Sequence, residues 1–279
     1  MPVIQHQTAS QTIGINYVDY GSGQPIILIH GWPLSHKAWE KQIPALVEAG
    51  YRVIAYDRRG FGQSDAPWEG YDYDALASDL HALITQLDLQ QVNLVGFSMG
   101  GGEVIRYLTQ YGADKINKIA LVASIIPLVK QKPDNPAGVP EAALKDILAA
   151  LLTDRLHFLS NFHPAFYNYK TDGEPVSEQQ LIYDFSISSH AAPHATIGAA
   201  KAWMDTDFRT ECKQVTVPTL IIHGKADETV PIATSAAQAA SFIPNSKLVV
   251  YDDAPHGLNL THADQLNGEL IAFFKSFGQ

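Results

Sequence analysis

The sequence predicts an α/β protein built on a doubly wound, mostly parallel sheet, with a helical cap inserted in it. Apolar runs that suit buried strands alternate with stretches of helical periodicity, a pattern typical of parallel strands joined by crossover helices. One strand passes through a tight glycine-rich turn straight into its helix, within residues 92–104. Between residues 125 and 212 the pattern changes, because prolines punctuate short helical segments and no strand is evident. We therefore assign residues 1–124 and 213–279 to the sheet domain and residues 125–212 to the cap.

The individual elements follow from their periodicity. Residues 12–20 alternate large apolar side chains with small or polar ones, which predicts a half-buried strand, and we expect it at an antiparallel edge of the sheet. Apolar runs predict further strands at 25–29, 51–57, 92–96, 116–123, 218–224 and 247–251. Helical spacing of apolar residues predicts helices at 74–87, at 141–152 in the cap and at about 262–274.

Composition and charge limit the classes of function. The chain has 279 residues and a formal net charge of -10, which disfavours nucleic acid and anionic membranes as partners because they carry the same sign of charge. No apolar run reaches the roughly eighteen residues of a membrane span, and the first residues lack the pattern of a signal peptide, so we expect a cytoplasmic location. Cys212 is the single cysteine, which excludes an intrachain disulfide, and no Cys/His spacing suggests a structural zinc site.

The turn at residues 96–100 fits the GxSxG nucleophile elbow. In an elbow the backbone on either side of the serine comes close together, so Gly96 and Gly100 avoid a clash that a Cβ would cause. The hydroxyl of Ser98 then projects clear of the sheet, and the amide of Met99 lies at a helix N-terminus, where backbone dipoles favour an oxyanion. A purely structural turn is the alternative, but the strand before it and the helix after it favour a nucleophile.

A serine nucleophile needs a base, and the base needs a group that fixes its tautomer. His256 lies on a loop after the last predicted strand, between Pro and Gly, and is our candidate base. His223 also ends a strand, where a structural role is the more common one. The orienting acid is expected between serine and histidine in chain order. Asp227, on the loop after the preceding strand, is the candidate, and Glu228 is its nearest rival.

The loop after the first buried strand should supply the second oxyanion donor. The amide of Trp32 is the candidate, although its ring could serve only as an apolar wall. Because this loop lacks the HGGG run of some lipases, a small acyl group suits it better than a long lipid chain. Trp203 of the aromatic-rich cap and Leu258 beside the candidate base are further candidates for substrate contact.

These motifs resemble those of the α/β-hydrolase superfamily. Residues 96–104, 56–62 and 254–257 are more closely similar to the cofactor-free haloperoxidases, a group that includes esterases, perhydrolases and a γ-lactamase. Residues 134–140 in the cap are similar to the γ-lactamase branch, and Pro33 resembles the perhydrolase version of its loop, which makes it a further candidate for substrate contact.

The resemblance implies a Ser98–His256–Asp227 triad, oxyanion donors at Trp32 and Met99, and neither haem nor a metal ion as cofactor. In that family the halogenating activity is attributed to a peracid formed from an acyl-enzyme and hydrogen peroxide. We expect acyl transfer on a small-molecule ester or amide, with release of the acid to water or peroxide.

Other functions remain open at this stage. A γ-lactamase or amidase would use the same residues, and a non-catalytic protein could use the same pocket to bind a small ligand. Haloalkane dehalogenase or epoxide hydrolase chemistry would require an aspartate where Ser98 stands. The sequence leaves the oligomeric state undetermined, so a homo-oligomer remains open.

Overall fold

Eight strands form one sheet within the residues that the computed structural model describes, which are 2–170, 173 and 175–276. They are β1 (Val3–Gln7), β2 (Thr12–Gly21), β3 (Pro25–Ile29), β4 (Arg52–Tyr56), β5 (Val92–Phe97), β6 (Ile116–Val122), β7 (Thr219–Gly224) and β8 (Ser246–Tyr251). Their order across the sheet is β1–β2–β4–β3–β5–β6–β7–β8. The two pairs that include β2 are antiparallel and the other pairs are parallel. The predicted mostly parallel sheet is confirmed.

Helices cover both faces of the sheet. They are α1 (Gln42–Glu48), α2 (Tyr73–Gln86), α3 (Gly100–Tyr111), α4 (Glu141–Phe166), α5 (Glu178–Ser189), α6 (Pro193–Asp205), α7 (Arg209–Cys212), α8 (Ala236–Phe242), α9 (Leu258–Thr261) and α10 (Ala263–Lys275). Side chains of β3 alternate between two apolar cores: Ile27 and Ile29 pack with α2, α3 and α8, whereas Ile26 and Leu28 pack with α1 and α10. This alternation buries β3 on both faces, as its apolar sequence requires.

The N-terminal edge of the sheet differs from the sequence prediction. Residues 12–20 were expected at an edge, and this was wrong, because β1 pairs outside β2 and occupies that edge. β1 reads Val-Ile-Gln-His-Gln, and Ile4 alone among its residues is buried. Such a short, polar strand leaves almost no periodic signal, so its existence depends on pairing with β2.

The cap lies between β6 and β7. Within its described residues it contributes α4 to α7 and no strand beyond isolated bridges. The predicted helix at 141–152 is the first part of α4, which continues past a break at Asp154 (φ -153°, ψ 88°). There the N–H of His157 donates to the Asp154 carboxylate at 2.9 Å and caps the second part. The boundaries of the cap at residues 125 and 212 stay a prediction.

Candidate active site

The carboxyl ends of the parallel strands meet at one edge of the sheet, which is where sites of such folds lie. Ser98 follows β5 directly, with a positive φ of 52°, and is 6% exposed. A Cβ at Gly96 would lie 2.7 Å from the backbone of Gly100, and a Cβ at Gly100 would lie 2.5 Å from the carbonyl oxygen of Ile29. Glycine is therefore required at both positions: Gly96 lets the elbow close on itself, and Gly100 lets it pack against β3.

The structure brings Ser98, His256 and Asp227 together. His256 Nε2 lies 2.9 Å from Ser98 Oγ, and His256 Nδ1 lies 2.6 Å from Asp227 Oδ2. In the neutral ring Nδ1–H donates to the carboxylate, so Nε2 is free to accept the serine proton. All three side chains are buried.

The acid of this trio is held ionised by its neighbours. Burial works to raise the pKa of Asp227, but the rings of His256 and His223 outweigh it and lower the pKa to about 2. The N–H of Val230 donates to the other carboxylate oxygen at 2.7 Å, and His223 Nε2 lies 3.2 Å from the first. His223 thus contacts the acid rather than the serine. Glu228, the alternative acid, is exposed.

Two backbone amides face the same region. The carbonyl of Gly31 accepts from His30 Nδ1 at 2.8 Å and from the N–H of Leu34 at 3.0 Å. Because a trans peptide is planar, fixing that carbonyl fixes the N–H of Trp32, which points the opposite way. The loop also approaches the nucleophile closely, since a Cβ on Gly31 would lie 3.1 Å from Ser98 Cβ.

The second amide is fixed in the same manner. The carbonyl of Ser98 accepts from the N–H of Gly101 at 3.1 Å and from that of Ile125 at 3.3 Å, so the N–H of Met99 points away from both. In the described part of the chain neither the Trp32 nor the Met99 amide donates to a protein acceptor. Both are therefore available to an oxyanion.

A cavity of about 910 Å³ opens over Ser98 and His256. The ring of Trp32 packs against Phe162 and Trp203 in its wall, with centroid distances of 5.4 and 5.9 Å. Trp32 and Trp203 thus line the cavity, and their contact with a substrate stays a prediction.

Two other predicted substrate contacts lie elsewhere. Pro33 is buried and does not line this cavity, and Leu258 is fully buried in the core on the α10 side of the sheet. Leu258 begins α9, which turns its side chain inward just after the His256 loop.

The rim of the cavity carries negative charge. The acidic residues Asp154 and Glu228, both exposed, line it, and among its described lining residues there is no Lys or Arg. Anions are therefore disfavoured at the entrance.

Comparison with known proteins places this chain in a family. A model described as the α/β hydrolase fold matches residues 24–263. The chain belongs to the α/β-hydrolase fold family. A Synechocystis sp. protein provisionally named a non-heme chloroperoxidase is 46% identical to this hydrolase over 270 residues, which are 96% of this chain and 98% of the relative. A bifunctional esterase/perhydrolase from Acinetobacter calcoaceticus is 35% identical over 273 residues, 96% and 99% of the two chains.

A solved structure gives the same result. The bromoperoxidase from Bacillus anthracis superposes with a TM-score of 0.94 at 46% identity, covering 99% of this hydrolase and 100% of the other chain. The resemblance to haloperoxidases and esterases is confirmed, whereas the γ-lactamase branch stays a prediction.

Some residues around the site of this hydrolase were missed from the sequence. The ring of Phe166 packs edge-on against His256 at 4.8 Å, and its carbonyl accepts from the N–H of Gly257 at 3.0 Å. Arg58 and Glu103 form a buried ion pair, and Arg58 contacts His30 in the loop after β3 (residues 30–34), which is called the oxyanion loop below for its predicted role. One signal was present: Glu103 shares a helical face with Gly100 and Tyr107, both of which must be buried for the elbow to pack.

Proposed function

We propose that this chain is a serine hydrolase that cleaves small, uncharged esters through an acyl-enzyme on Ser98 and passes the acyl group to water or to hydrogen peroxide. The observation that carries the proposal is the continuous hydrogen-bond path from Ser98 Oγ through His256 to Asp227, beside two unpaired amides. The names of its relatives as haloperoxidases and an esterase/perhydrolase support the same reaction.

Acylation uses each member of the trio once. Ser98 Oγ attacks the ester carbonyl carbon while His256 Nε2 accepts the hydroxyl proton. The carbonyl oxygen becomes an oxyanion that accepts hydrogen bonds from the Trp32 and Met99 amides. The carboxylate of Asp227 stabilises the imidazolium, which then donates its proton to the leaving alkoxide, so that the alcohol departs and the acyl group stays on Ser98.

Deacylation repeats these steps with a new nucleophile. His256 takes a proton from water, the hydroxyl oxygen bonds to the acyl carbon, and Ser98 leaves with the proton returned to it. Hydrogen peroxide in place of water gives a peracid. A peracid transfers its terminal oxygen to a halide and becomes the carboxylate, which yields hypohalous acid.

The cavity favours small, neutral substrates with an apolar portion. Its aromatic wall suits a ring or short alkyl group, and its acidic rim repels anions. Residues 134–140 contribute Val139 to the lining, so a lactam or amide substrate remains part of the proposal as the narrower alternative. Cytoplasmic location belongs to the proposal as well.

The test is hydrolysis of 4-nitrophenyl acetate, with and without hydrogen peroxide, by the parent and by Ser98→Ala. We expect the variant to lose at least a thousandfold in kcat/KM and the parent to form peracetic acid when peroxide is present. Retained activity in Ser98→Ala would overturn the proposal. A parent that binds ligands without turning over esters or lactams would instead be a binding protein. Dialysis against EDTA is the control for a metal requirement, and we expect unchanged activity.

A further inference from the structure

Arg58 and Glu103 form an ion pair that the proposed reaction does not use. Both side chains are completely buried, and Arg58 Nε donates to Glu103 Oε1 at 2.6 Å. The hydroxyl of Tyr56 donates to the other carboxylate oxygen. Replacing such a pair by apolar groups is often neutral or stabilising, because desolvating two charges offsets most of their attraction. Stability alone is therefore a weak explanation for its presence.

One side of the pair contacts the loop that carries the Trp32 amide. Arg58 Nη2 donates to the carbonyl of His30 at 2.7 Å, and the backbone N–H of Arg58 donates to His30 Nε2 at 3.0 Å. Burial and the charge of Arg58 lower the pKa of His30 to about 3, so the ring is neutral. With Nε2 accepting, Nδ1 carries the proton and donates to Gly31, the carbonyl that orients the amide of Trp32.

The other side of the pair holds the Met99 amide. Glu103 lies in the first turn of α3, the helix that begins at Gly100 directly after Met99. Glu103 is bonded to Arg58 within the first turn of α3, so a shift of Glu103 would act on the residues that begin this helix, next to Ser98 and Met99. Arg58 therefore joins the loop after β3 to the helix after β5.

We propose that Arg58 and Glu103 are positioning residues that set the separation between the two oxyanion amides. The guanidinium is suited to this because its planar fork bonds two fixed partners at once: Glu103 on one element and the His30 carbonyl on another. The inference rests on the proposed function, since a gap between two amides matters only if an oxyanion forms there.

The experiment replaces the ion pair without leaving a buried charge. The double variant Arg58→Met/Glu103→Leu removes both charges together at roughly constant volume. The matched control is Arg59→Met/Asp79→Leu, which removes a second buried pair bonded at 2.6 and 2.7 Å. Its arginine follows Arg58 in the chain, and its printed partners are Asp79 and the carbonyls of Gly70 and Ala75. Thermal unfolding of both variants shows whether each has folded.

Three readouts separate positioning from general support. In Arg58→Met/Glu103→Leu we expect kcat for 4-nitrophenyl acetate to fall about 10- to 100-fold with KM within threefold, since oxyanion stabilisation acts on the transition state. The inhibition constant of an aryl trifluoromethyl ketone, which forms a tetrahedral adduct with the serine, should rise by a similar factor. The control double variant should keep kcat and the inhibition constant within threefold, whatever its melting temperature.

Unchanged kcat and inhibitor affinity in a folded Arg58→Met/Glu103→Leu would overturn the inference, as would an equal loss in the control. If this variant does not fold, Arg58→Lys takes its place, because the ammonium keeps the charge but lacks the two-pronged geometry. A fall in kcat with constant KM is again expected, and parent-like kcat would overturn the inference. The failure of the proposed function is a separate result, seen as a parent without esterase activity or an active Ser98→Ala.

Discussion

Trp32 Nε1 donates a 2.9 Å hydrogen bond to the carbonyl of Thr196, and this bond ties the oxyanion loop to helix α6 of the cap. The residue whose amide faces Ser98 is thus also the residue that anchors the roof of the cavity. The position of the cap is therefore coupled to the geometry of the site.

Trp32→Phe tests this coupling, because it removes the indole donor and keeps an aromatic ring and the backbone amide. We expect KM for aryl esters to rise two- to tenfold, the value of one net hydrogen bond, with a smaller change in kcat. Trp203→Phe is the control. Within the described residues the Trp203 Nε1 has no acceptor, so the loss of this indole N–H should raise KM less than the Trp32 substitution does. Steady-state kinetics on both variants measures the two changes in KM. Equal changes in the two variants would contradict the coupling between the cap and the site.

Gly100→Ala should destabilise the fold at the elbow. The new Cβ would lie 2.5 Å from the carbonyl oxygen of Ile29 in the neighbouring strand, and neither backbone can yield without moving Ser98. We expect a loss of about 1–3 kcal/mol in the free energy of unfolding, together with reduced kcat. Gly268→Ala is the matched control, because within the described residues nothing beyond the adjoining backbone of α10 lies within 4 Å of its Cβ, and α10 should gain about 0.5–1 kcal/mol. Urea unfolding measures both, and a Gly100→Ala variant as stable as the parent would refute the packing argument.

The acidic rim should discriminate between substrates by charge. Asp154→Asn and Glu228→Gln should each raise kcat/KM for an anionic substrate, such as the 4-nitrophenyl half-ester of succinate, by about two- to fivefold, and leave 4-nitrophenyl acetate nearly unchanged. Asp252→Asn, which removes a carboxylate outside the cavity, is the control. The gain should shrink in 0.5 M salt, since exposed charges are screened. A preference for the anion in the parent would show the rim has no such role.

Asp184 should make stability depend on pH. Burial raises the pKa of this carboxyl to about 6 from 3.8, although Tyr167 and Gln180 donate to it at 2.6 and 3.0 Å. Between about pH 4 and 6 the folded state then holds a proton that the unfolded state has lost, so this residue makes the free energy of unfolding fall as pH rises. Asp184→Asn removes that term and should be more stable than the parent by about 1–3 kcal/mol at pH 7, with the difference vanishing near pH 4. A difference that is constant with pH would refute the assignment.

The arrangement of Ser98, Asp227 and His256 could be predicted from the sequence because each residue lies at the end of a strand or on the loop after one, and parallel strands end at one edge. Two signals in the sequence indicate each position: a predicted strand precedes it, and a glycine or proline lies nearby. The same logic failed for β1, whose polar residues are ordered only by pairing with β2.

Contacts between distant elements could not be predicted in this way. Leu258 lies two residues from His256, yet α9 turns it into the core, because sequence proximity does not set the direction of a side chain. Arg58 follows β4 and Glu103 lies in α3 after β5, two strands that are separated by β3 in the sheet, and nothing local in either segment indicates the other. A charged residue between glycines and apolar residues is a signal that points to Glu103, whereas Arg58 stands between Asp57 and Arg59 and carries no such signal.

The left-handed backbone conformation of Ser98 creates a conflict between the stability of the fold and its proposed activity. At φ 52° glycine is less strained than any residue with a Cβ, so the stability of the fold favours glycine at the position where the proposed reaction requires a hydroxyl. Lineages of this protein freed from their catalytic duty should therefore drift toward glycine at this position and gain stability as they do so.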